Sequence, residues 1–195
     1  MLDTLLELDR SLLLFFNQGH TLYWDQVMWI YTGKLVWIPL ILSMIYVAFR
    51  CGGWREGVWF VLVAGLVALL CDQFSSSVCK PFFERYRPAR DPDFSSMVTI
   101  VNGYRGGMFG FFSSHAANAA GIVVYTALIF RNKFYAATAV LWALLTCYSR
   151  MYLGVHYPGD ILAGLLWGIL MGWGGFFLYK KMRPFFFGDV PSPYS

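Results

Sequence analysis

Ser149-Arg150-Met151-Tyr152-Leu153-Gly154-Val155-His156-Tyr157-Pro158-Gly159-Asp160 lies between two long apolar runs and holds three ionisable side chains, Arg150, His156 and Asp160. An ionised group deep in a bilayer costs roughly 2.5 to 3.5 kcal/mol even on lenient insertion scales. Polar groups gathered at a span's end therefore either sit in the headgroup layer or form a site. Pro158 suits the first turn of a helix, so His156 stands just ahead of that helix and Asp160 inside its opening turn. A carboxylate beside an imidazole fixes its tautomer and raises its basicity, leaving the other ring nitrogen free to attack.

The flanking runs belong to a membrane pattern. The 195 residues are 58% hydrophobic and 13% charged, against about 25% charged in a soluble domain. Five runs approach the roughly 20 residues that cross a bilayer: about 35–50, 56–79, 112–130, 134–149 and 158–179. Residues 3–17 show helical apolar spacing with Asp3, Glu7 and Arg10 opposite, too short and too charged to span, and read as an interfacial helix. Residues 22–33 read as a second one, anchored by Trp24 and Trp29. His20, in the turn between them, reads as interfacial polarity. The expected fold is all-α: a polytopic bundle of about five transmembrane helices behind an N-terminal interfacial segment (1–33), a membrane-embedded domain (34–183) and a tail (184–195). No cleavable leader pattern opens the chain. Cys51, Cys71, Cys79 and Cys147 sit in or beside apolar runs and read as small hydrophobes. A net charge of +4 without a basic block does not suit nucleic acid.

Alternating the spans gathers Lys80, Arg87, His115, Arg150, His156 and Asp160 on one face. Arg50, Arg55, Arg131, Lys133, Lys180, Lys181 and Arg183 fall on the other, with Glu56 as their acidic neighbour. Short basic loops stay in the cytoplasm, so the expected localisation is the inner (cytoplasmic) membrane with the polar face outward. The long polar loop, 80–111, belongs to that outward face, and loops of this length are usually functional.

Three clusters meet there. Lys80 and Arg87 offer a point charge and a planar fork for phosphate oxygens, although the same residues also serve as snorkelling anchors. Ser113 and Ser114 precede an apolar helical run, and a helix N-terminus attracts anions. His115, in that first turn, titrates near working pH and suits a general acid. Arg150, His156 and Asp160 complete the set. Three cations and a helix N-terminus suit a tetrahedral dianion, one histidine with a carboxylate suits a nucleophile, and the second histidine suits a leaving-group acid. The chemistry is phosphoryl transfer through a covalent histidine intermediate. No cofactor or metal is called for: three histidines and Asp91-Pro92-Asp93 make too sparse a cage. Asp72, inside the second span and roughly on the face of Lys80, reads as a supporting residue that pairs with a nearby polar group, with Ser75 or Ser76 sharing its network.

Lys80-x6-Arg87-Pro88, then Ser113-x-His115, then Ser149-Arg150-x5-His156-x3-Asp160 resembles the signature of the type 2 phosphatidic acid phosphatase superfamily. The resemblance covers about residues 56–179. It implies a membrane phosphatase acting on a phospholipid or isoprenoid phosphate: undecaprenyl diphosphate, phosphatidylglycerophosphate, phosphatidic acid or a lipid A phosphate. It further implies Lys80, Arg87 and Arg150 as phosphate-binding cations, Ser113 as a phosphate hydrogen-bonding residue, His115 as the acid and His156 as the nucleophile partnered by Asp160. Ser114 stands where the family has glycine; its backbone N–H still faces phosphate, and its side chain bears on substrate and rate. The rival reading, a lipid or phosphate transporter or binding protein without hydrolysis, would place charges along a path through the membrane; here they gather at one face.

Overall fold

The computed structural model describes residues 2–188 and 193–194. Helix α1 (Leu2–Phe16) buries Leu13 and leaves Leu5, Leu8 and Phe15 exposed, as an element lying on apolar surroundings does. Helix α2 (Leu22–Tyr31) starts at Thr21, whose hydroxyl accepts the Trp24 N–H. His20 is more than interfacial polarity. Its Nδ1 lies 2.7 Å from Asp25 Oδ1, which also accepts the Tyr152 hydroxyl, and its ring sits 4.3 Å from that of Tyr152. The histidine fastens the α1–α2 turn to Tyr152, far along the chain.

Helix α3 (Trp37–Gln73) is continuous by hydrogen bonding but turns back at Gly53, where φ is 70° and ψ −176°. That conformation is open to glycine and strained for other residues. Phe49 meets Trp54 across the turn, and Met44 and Ala48 share a core with Phe60 and Val63. Residues 37–52 and 54–73 are thus the two arms of an antiparallel hairpin. A widened turn (Phe74–Cys79) carries the second arm into α4 (Lys80–Phe83). Helices α5 (Ser114–Phe130) and α6 (Lys133–Tyr152) form the next hairpin, joined by Arg131 in a left-handed conformation and Asn132, whose side chain accepts the Tyr135 N–H. Helix α7 (Pro158–Phe187) is the last. It runs through Pro184, beyond the point where Lys180 and Lys181 end the apolar pattern. The described residues form an all-α bundle without a strand, and by length and composition the stretch 37–83, bent at Gly53, and α7 are each apolar enough to cross a membrane.

The centre of the bundle is the parallel contact of α5 with α7. Its α7 side is a row of buried glycines, Gly164, Gly168, Gly172 and Gly175. A Cβ on Gly168 would stand 2.2 Å from the Ala117 carbonyl oxygen, and one on Gly172 2.5 Å from that of Gly121. Lipid tails are as apolar as leucine, so close packing of small residues, not the hydrophobic effect, holds such helices together. Alignment of α5 with α7 brings their N-termini to one level, and the Ser113 N–H donates to the Asp160 carbonyl at 3.0 Å.

Candidate active site

His156 and Asp160 owe their positions to the turn between α6 and α7. Gly154 has φ +66°, and a Cβ there would lie 2.3 Å from Val98 of the long loop. Its carbonyl accepts the Ala89 N–H. Asp160 Oδ2 accepts the Tyr157 N–H at 3.0 Å, closing the first turn of α7 as a cap. The same oxygen lies 3.5 Å from His156 Nδ1, and both side chains are essentially buried.

The long loop, 84–113, is folded onto this turn. Arg85 and Arg87 flank Tyr86, which bridges to Phe109 as a strand residue would, while the neighbouring backbones pair with Met108 and Gly110. Alternation along this extended piece points both arginines inward and leaves Tyr86 exposed. Arg87 donates through Nε to the Phe109 carbonyl at 3.1 Å, and its Nη1 stands 3.2 Å from His156 Nε2. An N–H aimed at Nε2 makes that nitrogen the acceptor. The imidazole proton then sits on Nδ1, facing Asp160.

Arg150 closes the far wall. It is buried, donates to the Thr32 hydroxyl at the end of α2, and stands 5.8 Å over the Tyr104 ring. Lys80 Nζ reaches Ser76 and Ser114 hydroxyls at 3.3 and 3.4 Å. Ser113 caps α5, its hydroxyl accepting the Ala116 N–H. Among the described residues none of Lys80, Arg87 and Arg150 forms a salt bridge. The cluster thus keeps its positive potential for a guest. Burial, then Arg87 and Arg150, hold the His156 imidazole well below its ordinary pKa. Burial and Arg150 bring Arg87 down to about 10, still charged at neutral pH.

Asp72 acts electrostatically on Lys80, as its place on the same helical face predicts, but the serines do not share its network. Ser75 does not join it: that hydroxyl donates to the Phe112 carbonyl at 2.7 Å and fixes the entry to α5. Ser76 serves Lys80. Asp72 also lines a cavity of about 550 Å³ between both arms of α3 and helix α5, with Ser114, His115 and Asn118 at the same end and residues such as Phe60 and Ile122 beyond.

Two further residues, Arg85 and Asp9, bear on the site although the sequence reading gives them no role. Arg85 donates to Asp160 Oδ1 at 2.8 Å and to Asp9 Oδ2 at 2.6 Å, with its guanidinium 4.3 Å over Tyr157. Asp9 Oδ1 accepts the Gly159 N–H at 2.7 Å, so α1 caps α7 from outside. Burial works against the Arg85 charge, but Asp160 and Asp9 outweigh it and raise its pKa. The Arg-Tyr-Arg alternation could have flagged Arg85. Asp9 is some 150 residues from its partner and has no such marker.

An imidazole facing a carboxylate on one side and unneutralised cations on the other is an arrangement suited to phosphate esters. The sequence profile of the PAP2 superfamily matches residues 57–185. The chain belongs to the PAP2 superfamily. It is similar to the lipid A 4'-phosphatase of Bacteroides thetaiotaomicron, 38% identical over 99% of this chain and 86% of that protein. It is similar also to the lipid A 4'-phosphatase of Porphyromonas gingivalis, 38% identical over 92% of this chain and 75% of that one. The fold matches the crystal structure of the transmembrane PAP2-type phosphatidylglycerolphosphate phosphatase from Bacillus subtilis, with TM-score 0.68 and 24% identity over 96% of this chain and 90% of that chain. This PAP2 protein is a membrane lipid phosphatase.

Proposed function

We propose that this phosphatase removes a phosphomonoester from a lipid A-type glycolipid through a phosphohistidine intermediate. The observation that carries the mechanism is the two-sided environment of His156, with Nδ1 towards Asp160 and Nε2 towards Arg87. The substrate phosphate replaces the Arg87 contact at Nε2, held by Lys80, Arg87, Arg150, Ser113 and the N–H groups that open α5, Ser114 included. Nε2 attacks phosphorus in line, and the bond from phosphorus to the lipid oxygen breaks. His115 gives its proton to that oxygen, a role typically worth 10²–10⁴-fold. Water then attacks the phosphohistidine, His115 takes the water proton, and phosphate leaves with His156 neutral again.

The apolar cavity that starts at His115 suits a hydrocarbon chain of the same substrate. The two lipid A 4'-phosphatase relatives, similar over 86% and 75% of their lengths, favour a sugar-linked phosphate over an isoprenoid diphosphate. The site faces the periplasm from the inner membrane: Arg50, Arg55, Arg131, Lys133, Lys180, Lys181 and Arg183 lie at the opposite ends of the spans, and basic loops stay inside.

The test is phosphate release by detergent-purified protein in EDTA from lipid A, undecaprenyl diphosphate, phosphatidylglycerophosphate and phosphatidic acid, for wild type and His156→Ala. Hydrolysis led by lipid A and abolished in the variant is the expected result. Equal inertness of both proteins on all four would overturn the mechanism. A C-terminal tag labelled in intact cells would overturn the orientation.

A further inference from the structure

A second cavity, of about 410 Å³, opens between α5 and α7 at the ends that lie away from His156. Leu128, Ile129 and Phe176 give it apolar wall, and Arg131, Lys180 and Arg183 give it charge. Arg183 is already committed: its Nε and Nη2 donate to the Glu56 carboxylate at 2.6 and 3.1 Å, and the Tyr179 hydroxyl donates to the same group. Arg131 and Lys180 are exposed and, among the described residues, form no salt bridge. The surplus charge of the cavity is therefore theirs. Arg131 ends α5 with φ at 51°, a left-handed conformation that glycine adopts more easily at a helix end. A cation there complements the helix dipole, and a lysine at the end of a span snorkels. Neither effect accounts for two such cations, from different helices, lining one apolar cavity. Depth adds a further constraint. Lys180 follows Asp160 by 20 residues on α7, about 30 Å along the axis. The hydrocarbon core of a bilayer is also about 30 Å thick. With the His156 site at one headgroup level, this cavity stands at the other.

We infer that the cavity holds an anionic phospholipid of the leaflet opposite the catalytic site, its phosphate between Arg131 and Lys180 and the start of an acyl chain against Leu128, Ile129 and Phe176. A guanidinium fork and an ammonium point charge suit phosphate oxygens, and basic pockets between membrane helices take acidic headgroups. A zwitterionic lipid brings a positive group of its own, which the two cations repel. The bound lipid joins the far ends of α5 and α7, whose near ends carry Ser113, His115 and Asp160. The inference does not depend on which lipid is hydrolysed.

The test is thermal unfolding of the full chain in neutral detergent with added phosphatidylglycerol, with phosphatidylcholine of the same acyl chains, or with inorganic phosphate. Phosphatidylglycerol is a phosphodiester and offers no terminal phosphate to the catalytic site. Each protein's shift is read against its own lipid-free baseline, so a general loss of stability does not count. At saturating lipid, wild type is expected to gain roughly 4 °C or more from phosphatidylglycerol over phosphatidylcholine. Arg131→Gly combined with Lys180→Gln is expected to abolish this gain; the glycine suits the left-handed backbone, so the fold is kept. Arg87→Gln, in the catalytic cluster, is expected to retain the gain. Equal effects of the two lipids on wild type overturn the inference, as does a gain that survives in the double variant or disappears in Arg87→Gln. A gain of the same size from inorganic phosphate, lost in the double variant, assigns the cavity to a soluble anion and overturns the lipid. If the double variant does not fold, Lys180→Gln alone decides, and an undiminished gain there overturns the inference. Loss of hydrolysis plays no part in these readouts, so failure of the phosphatase mechanism remains distinguishable.

Discussion

Gly168→Ala should cripple the enzyme without touching the site. The added Cβ would lie 2.2 Å from the Ala117 carbonyl oxygen, roughly 1 Å inside the closest ordinary carbon contact. The obstacle is backbone, so no rotamer change relieves it, and α7 must move away from α5. Overpacking of this kind costs about 1–3 kcal/mol. The better helix propensity of alanine returns at most about 1 kcal/mol, leaving a modest net loss of stability. The effect on turnover is larger. Asp160 lies eight residues away, about 12 Å along the axis, and the displaced helix carries it, with His156, away from Ser113 and His115 on α5. A 1 Å misplacement of reacting groups is worth about 10²-fold. The assay is kcat on a lipid phosphate together with a melting curve in detergent. Gly174→Ala is the control: it stands on the same helix with nothing within 4 Å of the new methyl. Gly168→Ala with activity within about twofold of wild type and an unchanged melting temperature would refute the account of α5–α7 packing.

Other perturbations probe the site itself. His156 attacks as a neutral imidazole, and its pKa is held well below the ordinary 6.5, so the acid limb of kcat/KM should fall below that pH. Arg87→Gln removes a facing positive charge, raises the His156 pKa and should move this limb to higher pH; a limb that stays in place or moves down contradicts the electrostatics. The same depressed pKa gives stability that is complete above about pH 6.5 and lost as pH falls towards the folded value, which melting curves across that window should register. Arg85→Gln strips buried Asp160 of its cation, so about 3–5 kcal/mol of stability is at stake; kcat should drop at least tenfold with little change in KM, and an unaffected kcat would remove Arg85 from the positioning of Asp160. Vanadate should inhibit by imitating the trigonal-bipyramidal transition state, and insensitivity at about millimolar concentrations (typical substrate affinities being no weaker) would argue against a histidine nucleophile.

The sequence made the helices legible because membrane spans are marked by composition. The expected runs at 56–79, 112–130 and 158–179 find their counterparts in the second arm of α3 with its extension, in α5 and in α7. The Ser113 cap and the Pro158 start were readable because capping is a local affair. What stayed hidden is long-range and specific. Ser75 looked like a partner for Asp72 by helical spacing, yet a backbone carbonyl 37 positions away claims it. His20 looked like stray polarity because nothing nearby in sequence announces Tyr152. The glycine row of α7 was in view, but its meaning depends on Ala117 and Gly121 standing opposite, and pairing of helices is not written in either helix alone.

The distribution of charge over two layers gives these hidden contacts their sense. Acidic side chains are present near the cations, yet the three that bind phosphate in the proposed mechanism are left without a salt bridge among the described residues. Asp9 and Asp160 are spent on Arg85, and Asp91 on Arg10 and the Tyr157 hydroxyl. These pairs lie one layer outside, where they tie α1 and the long loop to the first turn of α7. A carboxylate placed among Lys80, Arg87 and Arg150 would satisfy them in the resting enzyme and compete with the phosphate dianion. Neutral groups orient them without cancelling their charge: the Ser76 and Ser114 hydroxyls for Lys80, the Thr32 hydroxyl and Tyr104 ring for Arg150, and the Phe109 carbonyl for Arg87. The unfavourable crowding of like charges is borne by the surrounding fold, and a phosphate relieves it on binding. Helices α1 and α2, of 15 and 10 residues, therefore support the proposed site: one braces the carboxylate side of His156 and the other braces Arg150 on the phosphate side.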